Sequence, residues 1–305
     1  MSMETNTFIE HPGAVFQEKL LELGMSVKEF AIRSGKAEKT VIDIIKGRAS
    51  ITPDMSLLIE YVTGMSADVL LNWQTKYDIQ EARARMDKRA RSYNEWIIRL
   101  PVNEMEANGW IEPCREKSDR VAKVLRFYGV ASPEAWMRYY YSKQLRVAFN
   151  ASLKQAINPY ALSAWLRRGE VQADKIILDN VYSPKLLKER LPEIALLLRT
   201  PPDDVLTMLR GILEETGIKL IYTEPLPSVP VNGATRWIAG VPCIQLLNRK
   251  ESYDDFTHTV FHEIGHILLH GHKDVFIENV GSLCEDPEYL KKEVEADEFA
   301  RKYLD

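Results

Sequence analysis

The sequence has 305 residues, of which 45% are hydrophobic and 28% are charged. This length allows two domains or one large one, and the composition excludes the disordered and fibrous classes of protein. The formal net charge of −4 provides no general attraction for nucleic acid, so DNA binding requires a local basic surface.

The cysteines and the apolar segments indicate the compartment. Cys114, Cys243 and Cys284 are scattered and odd in number, which does not favour a disulfide framework or a cysteine-based zinc site. Residues 1–10 lack the pattern of a signal peptide, and no later stretch is apolar over the roughly 18 residues that a membrane span needs. We therefore expect a cytoplasmic protein without a membrane partner.

Short amphipathic segments separated by glycines occupy residues 12–80, which predicts a compact unit of short helices. The run 81–92 is polar and favours helix, so we expect it to leave this unit as a solvated connecting helix. The first predicted domain therefore comprises residues 1–92.

Two helices joined by a tight turn are predicted inside this domain. Ser26 fits an N-cap with Glu29 three residues later, and Gly35 ends the first helix. The second helix has an apolar inner face and a polar outer face, which suits a recognition helix. Basic residues outnumber acidic ones locally, and the DNA-binding candidates are Lys36, Glu38, Lys39, Thr40, Asp43, Lys46 and Arg48. A plain helical bundle is the alternative, because the same geometry occurs in proteins that never touch DNA.

A wider set of residues resembles the HigA-type antitoxin branch of the Cro/repressor (XRE) helix-turn-helix family. The resemblance spans about residues 8–85 and implies a five-helix domain that binds palindromic operator DNA as a homodimer and represses its own operon. Ala37 stands where the family usually has a capping serine and Glu38 where it often has a basic residue, so we expect altered affinity or specificity. The matching segments are His11-Pro12-Gly13, 26–35, 40–47, Ser50-Ile51-Thr52-Pro53 and Leu71-Asn72-Trp73-Gln74.

Residues 93–204 are aromatic-rich and mostly helical by pattern, with prolines at the breaks. They predict a helical middle domain without a catalytic motif. After a helix predicted near 204–216, three short apolar or β-branched runs predict strands at 218–222, 235–239 and 241–246. Apolar residues at helical spacing then predict a helix over 254–270. The fold class is therefore mainly α with a small β-sheet (α+β), and residues 205–305 form the third predicted domain.

The predicted helix at 254–270 contains a metal-binding motif, His262-Glu263-Ile264-Gly265-His266. Histidines four residues apart project from one face of a helix and can hold one ion. Glu263 falls beside that ion, where it can accept a proton from water without serving as a ligand. Coincidence is the alternative explanation of the motif.

A catalytic zinc site commonly has three protein ligands, so a third is expected downstream. We assign Glu293, with Glu295 as the fallback, because residues 293–300 predict a helix with acidic residues on one side. Asp297 lies four residues after Glu293, where it can hydrogen-bond a ligand histidine from the second shell of the site. The remaining nearby histidines are interpreted as ordinary surface or core residues: His258, His270 and His272.

The C-terminal motifs resemble those of the ImmA/IrrE family of bacterial metallopeptidases, over about residues 205–305. The resemblance implies a gluzincin-like, Zn²⁺-dependent endopeptidase that cuts helix-turn-helix repressors. Family members usually continue past the alanine-rich helix, so we expect the domain to be incomplete at its C-terminus. The motifs are Gly233-Ala234-Thr235-Arg236-Trp237, Ile244-Gln245-Leu246, 259–271 and 293–300.

The sequence thus supports a transcription regulator fused to a peptidase that cleaves itself or a partner repressor and so relieves repression. The alternative is a HigA-like antitoxin or autorepressor whose C-terminal domain binds zinc or a cognate toxin without catalysis. A third possibility is that the middle domain senses a ligand.

Overall fold

The computed structural model describes residues 9–304 except 115, 145–157, 228, 230, 248–252, 273 and 279–285. The chain divides into two compact units, Met1–Ser92 and Tyr93–Asp305. Most of the described residues are helical and one small sheet lies in the second unit, so the prediction of a mainly α fold with a small β-sheet is confirmed. No described helix combines the length and the apolar character needed to cross a membrane.

The described residues of the first unit form five helices: α1 (Gly13–Glu22), α2 (Val27–Ser34), α3 (Glu38–Ile45), α4 (Pro53–Thr63) and α5 (Ala67–Ala90). Their inner faces share one apolar core, in which the rings of Phe16 and Phe30 meet edge to face with centroids 4.9 Å apart. The polar run predicted as a separate connecting helix is the second half of α5. It continues α5 because no glycine or proline interrupts the helix before its end.

The helix-turn-helix is formed by α2 and α3. The Ser26 hydroxyl accepts a hydrogen bond from the Glu29 amide at 3.1 Å and so caps α2. Gly35 ends the helix with a φ of 67°, a left-handed conformation that glycine adopts without a steric cost. The Glu29 carboxylate accepts a hydrogen bond from Arg33. Val41 and Ile44 bury the inner face of α3.

In the second unit a series of helices precedes the first strand of the sheet: α6 (Asn94–Arg99), α7 (Val102–Ala107), α8 (Lys117–Tyr128), α9 (Pro133–Trp136), α10 (Pro159–Ala173), α11 (Pro184–Arg199) and α12 (Val205–Glu215). A 3₁₀ turn precedes α6 and a π-helical segment, Met137–Gln144, follows α9. The aromatic residues that are frequent in this region pack together. For example, Trp136 stacks on Tyr160 with ring centroids 5.1 Å apart. Cys114 and Cys243 are free thiols, and Cys284 lies outside the described residues.

The rest of the unit consists of β1 (Lys219–Thr223), β2 (Gly233–Ile238), β3 (Val241–Leu247), α13 (Tyr253–Leu269), β4 (Phe276–Ile277) and α14 (Pro287–Arg301). The strand order is β1-β3-β2-β4. β1 pairs with β3 in parallel, and the other two pairings are antiparallel. β2 and β3 form a hairpin whose two-residue turn, Ala239-Gly240, has positive φ at both positions. The helix α13 packs against β2 and β3, which places one face of α13 on the sheet.

A buried polar network joins α10 to the sheet. The Arg236 guanidinium on β2 is 2% exposed and donates hydrogen bonds to Gln245 at 2.9 Å, to Glu170 at 3.4 Å and to the carbonyl of Leu166. The Gln245 amide donates in turn to the carbonyl of Trp165 at 2.8 Å. Buried charges of this kind are tolerated only when they are paired and hydrogen-bonded. The predicted middle and C-terminal domains therefore share buried hydrogen bonds.

We predict that Arg236→Met lowers the free energy of unfolding of the second unit by about 3 kcal/mol. The substitution leaves the buried Glu170 carboxylate and the Leu166 carbonyl without this donor, although Arg167 still pairs with Glu170 at 2.8 Å. The urea midpoint can be followed by tryptophan fluorescence, because five of the six tryptophans lie in this unit. The matched control is Arg190→Met, which removes only exposed ion pairs and should cost less than about 1 kcal/mol. Equal losses from both variants would contradict the prediction.

Candidate metal centre

The centre lies where α13 and α14 approach each other closely. A Cβ added to Gly265 on α13 would lie 3.3 Å from the Cα of Ala296 and 3.2 Å from the ring of Phe299. Ala296 itself is fully buried. Farther along, the ring of Phe261 stacks on Tyr303 with centroids 4.5 Å apart. Two small residues at the crossing therefore let the helices come near enough for polar side chains to meet between them.

Three of those polar side chains form the predicted ligand set. His262 and His266 project from one face of α13, and their Nε2 atoms lie 2.9 Å apart. The Glu293 carboxylate on α14 lies 3.5 Å from each of these nitrogens, one oxygen facing each ring. Both histidines are at most 3% exposed, and the Glu293 side chain is 14% exposed. The structure therefore brings together the three residues that the sequence assigns as ligands.

The donor set fits a zinc ion. Two imidazole nitrogens and one carboxylate oxygen are a common protein contribution to a catalytic zinc site. Ligand atoms at about 2 Å from a tetrahedral ion lie about 3.3 Å from one another, close to the separations found here. Among the described residues, Glu293 Oε1 is buried without a hydrogen-bond partner. Such an orphaned oxygen is costly unless a cation or water satisfies it.

Asp297 orients the first histidine. Its Oδ1 lies 2.8 Å from His262 Nδ1, so this nitrogen carries a proton and the Nε2 atom faces Glu293. Burial by itself lowers the pKa of His262, but the hydrogen bonds to Asp297 and Glu293 outweigh it and raise the pKa to about 10. The same hydrogen bond lowers the pKa of Asp297. Asp297 therefore holds the His262 ring in one orientation.

The second histidine has a different partner. His266 Nδ1 lies 3.0 Å from His270 Nδ1, and His270 Nε2 lies 3.2 Å from Glu295 Oε2. The ring of His266 also stacks on Phe276 of β4, with centroids 3.9 Å apart and planes 11° apart. Burial and the neighbouring histidine rings lower the pKa of His266 well below its usual value. Both effects favour the neutral form of the His266 ring.

Glu263 lies next to the two predicted ligands on α13. Its side chain is fully buried, and neither carboxylate oxygen has a hydrogen-bond partner among the described residues. Thr235 on β2 donates to its main-chain carbonyl at 3.2 Å, which ties this turn of α13 to the sheet. Gly233 makes room for the carboxylate, since a Cβ there would collide with Glu263 Oε1. Burial raises the pKa of Glu263 to about 8, aided by Glu278 and opposed by His262.

The structure gives the remaining histidines different surroundings. His258 Nε2 lies 3.7 Å from Asp297, and His272 meets the ring of Trp237 edge on. Sequence reasoning interpreted His270 as an ordinary histidine, whereas its ring is hydrogen-bonded to His266. The signal was present in the spacing, because position 270 follows position 266 by the same four residues that separate the two predicted ligands. The fallback ligand, Glu295, contacts His270.

The predicted DNA-contacting residues lie on or beside α3 in the first unit. Six of them are exposed: Lys36, Glu38, Lys39, Thr40, Lys46 and Arg48. Asp43 is half-buried and accepts hydrogen bonds from the Arg48 guanidinium at 2.6 and 2.9 Å. The outer face of α3 therefore presents cationic and polar groups, and part of the charge of Arg48 is balanced by Asp43.

No protein-family model matches the chain, so the resemblance of its C-terminal residues to the ImmA/IrrE family stays a prediction. Over 76 residues the chain is 36% identical to the uncharacterized HTH-type transcriptional regulator YddM of Escherichia coli (strain K12), a match that covers 25% of this chain and 81% of that protein.

Solved structures are also similar to about a quarter of this chain. An addiction module antidote protein of the HigA family from Coxiella burnetii is 30% identical, with 28% of this chain and 92% of the other covered and a TM-score of 0.26. The antitoxin HigA of Pseudomonas aeruginosa, solved with the higBA promoter, is 28% identical, with 27% and 89% covered and a TM-score of 0.26. These TM-scores carry no weight, so the assignment rests on sequence identity to the Escherichia coli regulator. With its helix-turn-helix formed by α2 and α3, the N-terminal region of this chain belongs to the HTH-type transcriptional regulators.

Proposed function

We propose that this chain is a DNA-binding transcription regulator whose second unit is a zinc-dependent endopeptidase. One observation carries the enzymatic half of the proposal: two histidines and a glutamate converge within 3.5 Å of one another, beside a buried glutamate whose carboxylate has no protein partner among the described residues. The DNA-binding half is supported by the helix-turn-helix, its exposed basic residues and the 36% identity to an HTH-type transcriptional regulator.

The chemistry follows from the groups at the centre. A zinc ion held by His262, His266 and Glu293 would supply Lewis-acid polarisation of a carbonyl and acidify water. Glu263 takes a proton from the attacking water and delivers it to the leaving amine as the peptide bond breaks. Burial raises the pKa of Glu263 to about 8 in the protein alone, whereas a zinc ion beside it would favour the carboxylate form, which accepts a proton. Burial of the centre keeps bulk water from competing.

The substrate follows from the combination of two activities in one chain. A DNA-bound regulator that carries its own peptidase can end repression by cutting itself or a partner repressor of the same helix-turn-helix class. An exposed segment that follows the DNA-binding unit of such a repressor would enter the centre as extended chain, a form in which peptides can pair with the edge of a sheet. Cleavage would therefore separate the DNA-binding unit from the rest of the repressor.

We predict that the full chain binds one zinc ion and that Glu293→Gln weakens this binding by more than about 100-fold. This exceeds the 10- to 100-fold effect of residues that contact only a ligand, because the substitution removes a charged ligand itself. Zinc affinity can be measured by competition with a chromogenic chelator. Glu298→Gln is the matched control, since Glu298 is exposed on the same helix and should leave the affinity unchanged. Equal affinities in the two variants would remove Glu293 from the ligand set.

A second prediction separates zinc binding from catalysis. Glu263→Gln should retain zinc and lower peptide-bond cleavage by about 10²- to 10⁴-fold, because the amide cannot accept the proton from water. The zinc-loaded chain is incubated alone and with helix-turn-helix repressors encoded near its gene, and products are identified by mass spectrometry. Glu298→Gln should cleave as the unchanged chain does. Unaltered cleavage by Glu263→Gln would show that another group is the base.

The second candidate function is a HigA-like antitoxin or autorepressor in which the second unit holds zinc or a toxin without turnover. Its support is the resemblance of about residues 8–85 to the HigA-type antitoxin branch of the helix-turn-helix family. Zinc binding without cleavage of any tested repressor, together with capture of a small toxin encoded beside the gene, would favour this function over the peptidase.

For the first unit we predict salt-dependent binding to the operator region upstream of the gene. Lys39→Ala should weaken binding several-fold and reduce the slope of log affinity against log salt by about one, as expected for one lost phosphate contact. Fluorescence anisotropy with the full chain measures both quantities. Lys76→Ala on α5 removes an exposed lysine outside the helix-turn-helix and serves as the control. Identical salt slopes in both variants would exclude Lys39 from the interface.

A further inference from the structure

His262, His266 and His270 succeed one another at intervals of four residues on a single face of α13 and its end. The first two rings are the proposed ligands. The third is equally enclosed, since the side chain of His270 is only 3% exposed. Its two ring nitrogens both have partners, His266 on one side and Glu295 on the other. A buried imidazole that is hydrogen-bonded at both nitrogens has a fixed ring orientation, and it can in turn fix the orientation of the group it contacts.

The proton positions follow from the chemistry of these partners. A carboxylate only accepts hydrogen bonds, so the proton between His270 and Glu295 resides on His270 Nε2. A neutral imidazole carries a single ring proton, which leaves His270 Nδ1 as an acceptor. Its neighbour at 3.0 Å, His266 Nδ1, must then be the donor. The Nε2 atom of His266 is consequently unprotonated and faces His262 and Glu293.

We propose that His270, held by Glu295, is a positioning residue that keeps His266 in the tautomer whose Nε2 lone pair points at the metal position. This inference rests on the proposed metal centre for its functional meaning, but the tautomer itself is a property of the protein alone. Asp297 contacts His262 directly, whereas Glu295 reaches His266 only through His270. The two ligands are thus oriented by different means.

Two further observations support the assignment. The ring of Phe276 stacks on His266 and also lies against His270, with centroids 5.2 Å apart in the second case, so the two imidazole planes are held together. With Nε2 donating to Glu295 and Nδ1 accepting from His266, a single ring proton on His270 satisfies both of its partners. A neutral His270 is required, because a second ring proton would point at His266 Nδ1 and force the His266 proton onto Nε2.

The experiment compares three variants in the full chain: His270→Leu, His270→Asn and His272→Leu. Leucine removes both hydrogen bonds. Asparagine keeps an acceptor near the place of the imidazole Nδ1 atom and should rescue the His266 tautomer. His272 is exposed at the end of α13 and packs on Trp237, so its substitution is the matched control. Circular dichroism checks that each variant retains its fold.

The direct readout is the ¹⁵N chemical shift of the ring nitrogens in protein labelled at histidine, recorded without metal. We expect His266 to carry its proton on Nδ1 in the unchanged chain, in His270→Asn and in His272→Leu. In His270→Leu the two tautomers should mix. A His266 proton on Nε2 in the unchanged chain, or an unaltered tautomer in His270→Leu, would overturn the proposal. Because the unchanged chain is itself informative, a variant that fails to fold does not remove the test.

The second readout is zinc affinity. We expect a loss of about 10- to 100-fold in His270→Leu, the size found when a residue that contacts a ligand is removed. Affinity should be largely restored in His270→Asn and unchanged in His272→Leu. Unaltered affinity in His270→Leu would overturn the role in metal binding. Absence of zinc binding by the unchanged chain would instead overturn the proposed metal centre, and the ¹⁵N shifts would still decide the tautomer.

Discussion

The arrangement of the second unit depends on one close contact, the crossing of α13 and α14 at Gly265 and Ala296. A Cβ at position 265 would lie 3.2 to 3.4 Å from Phe299 and Ala296, so α14 would have to move away slightly to relieve the contact. Such a movement would lengthen the 3.5 Å separations between Glu293 and the two histidines that face it. The sheet supports the same contact from the other side, because Thr235 binds the carbonyl of Glu263. Packing and metal geometry are therefore a single constraint here.

Electrostatics provides the second level of order. The buried polar groups at the centre are arranged so that nearly every ring nitrogen has a defined partner, from Asp297 through the three histidines to Glu295. The carboxylates differ from the histidine rings. Both side-chain oxygens of Glu263 and one of Glu293 lack hydrogen-bond partners among the described residues. An interior that satisfies its histidines and leaves two carboxylates incompletely paired is suited to a cation and a water molecule.

The two units contribute different kinds of information about function. The first belongs to the HTH-type transcriptional regulators through its identity to the Escherichia coli protein, and that match covers a quarter of the chain. The function proposed for the second unit is supported by the geometry of its side chains alone. Its proposed activity gains meaning from the first unit, because a regulator that can cut a DNA-binding protein can reverse its own effect.

The sequence by itself determined the local features. These include the cap at Ser26, the left-handed end at Gly35 and the spacing of His262 and His266, since each depends on residues within one or two helical turns. Tertiary structure decided what depends on distant residues: the approach of Glu293 to His262 and His266, the parallel pairing of β1 with β3, and the links from α10 to the sheet through Arg236. The role of His270 belongs to this second group, because its meaning depends on Glu295, which is 25 residues away in the chain. Helical periodicity places such side chains on a face, but only the packing of one helix on another decides which of them meet.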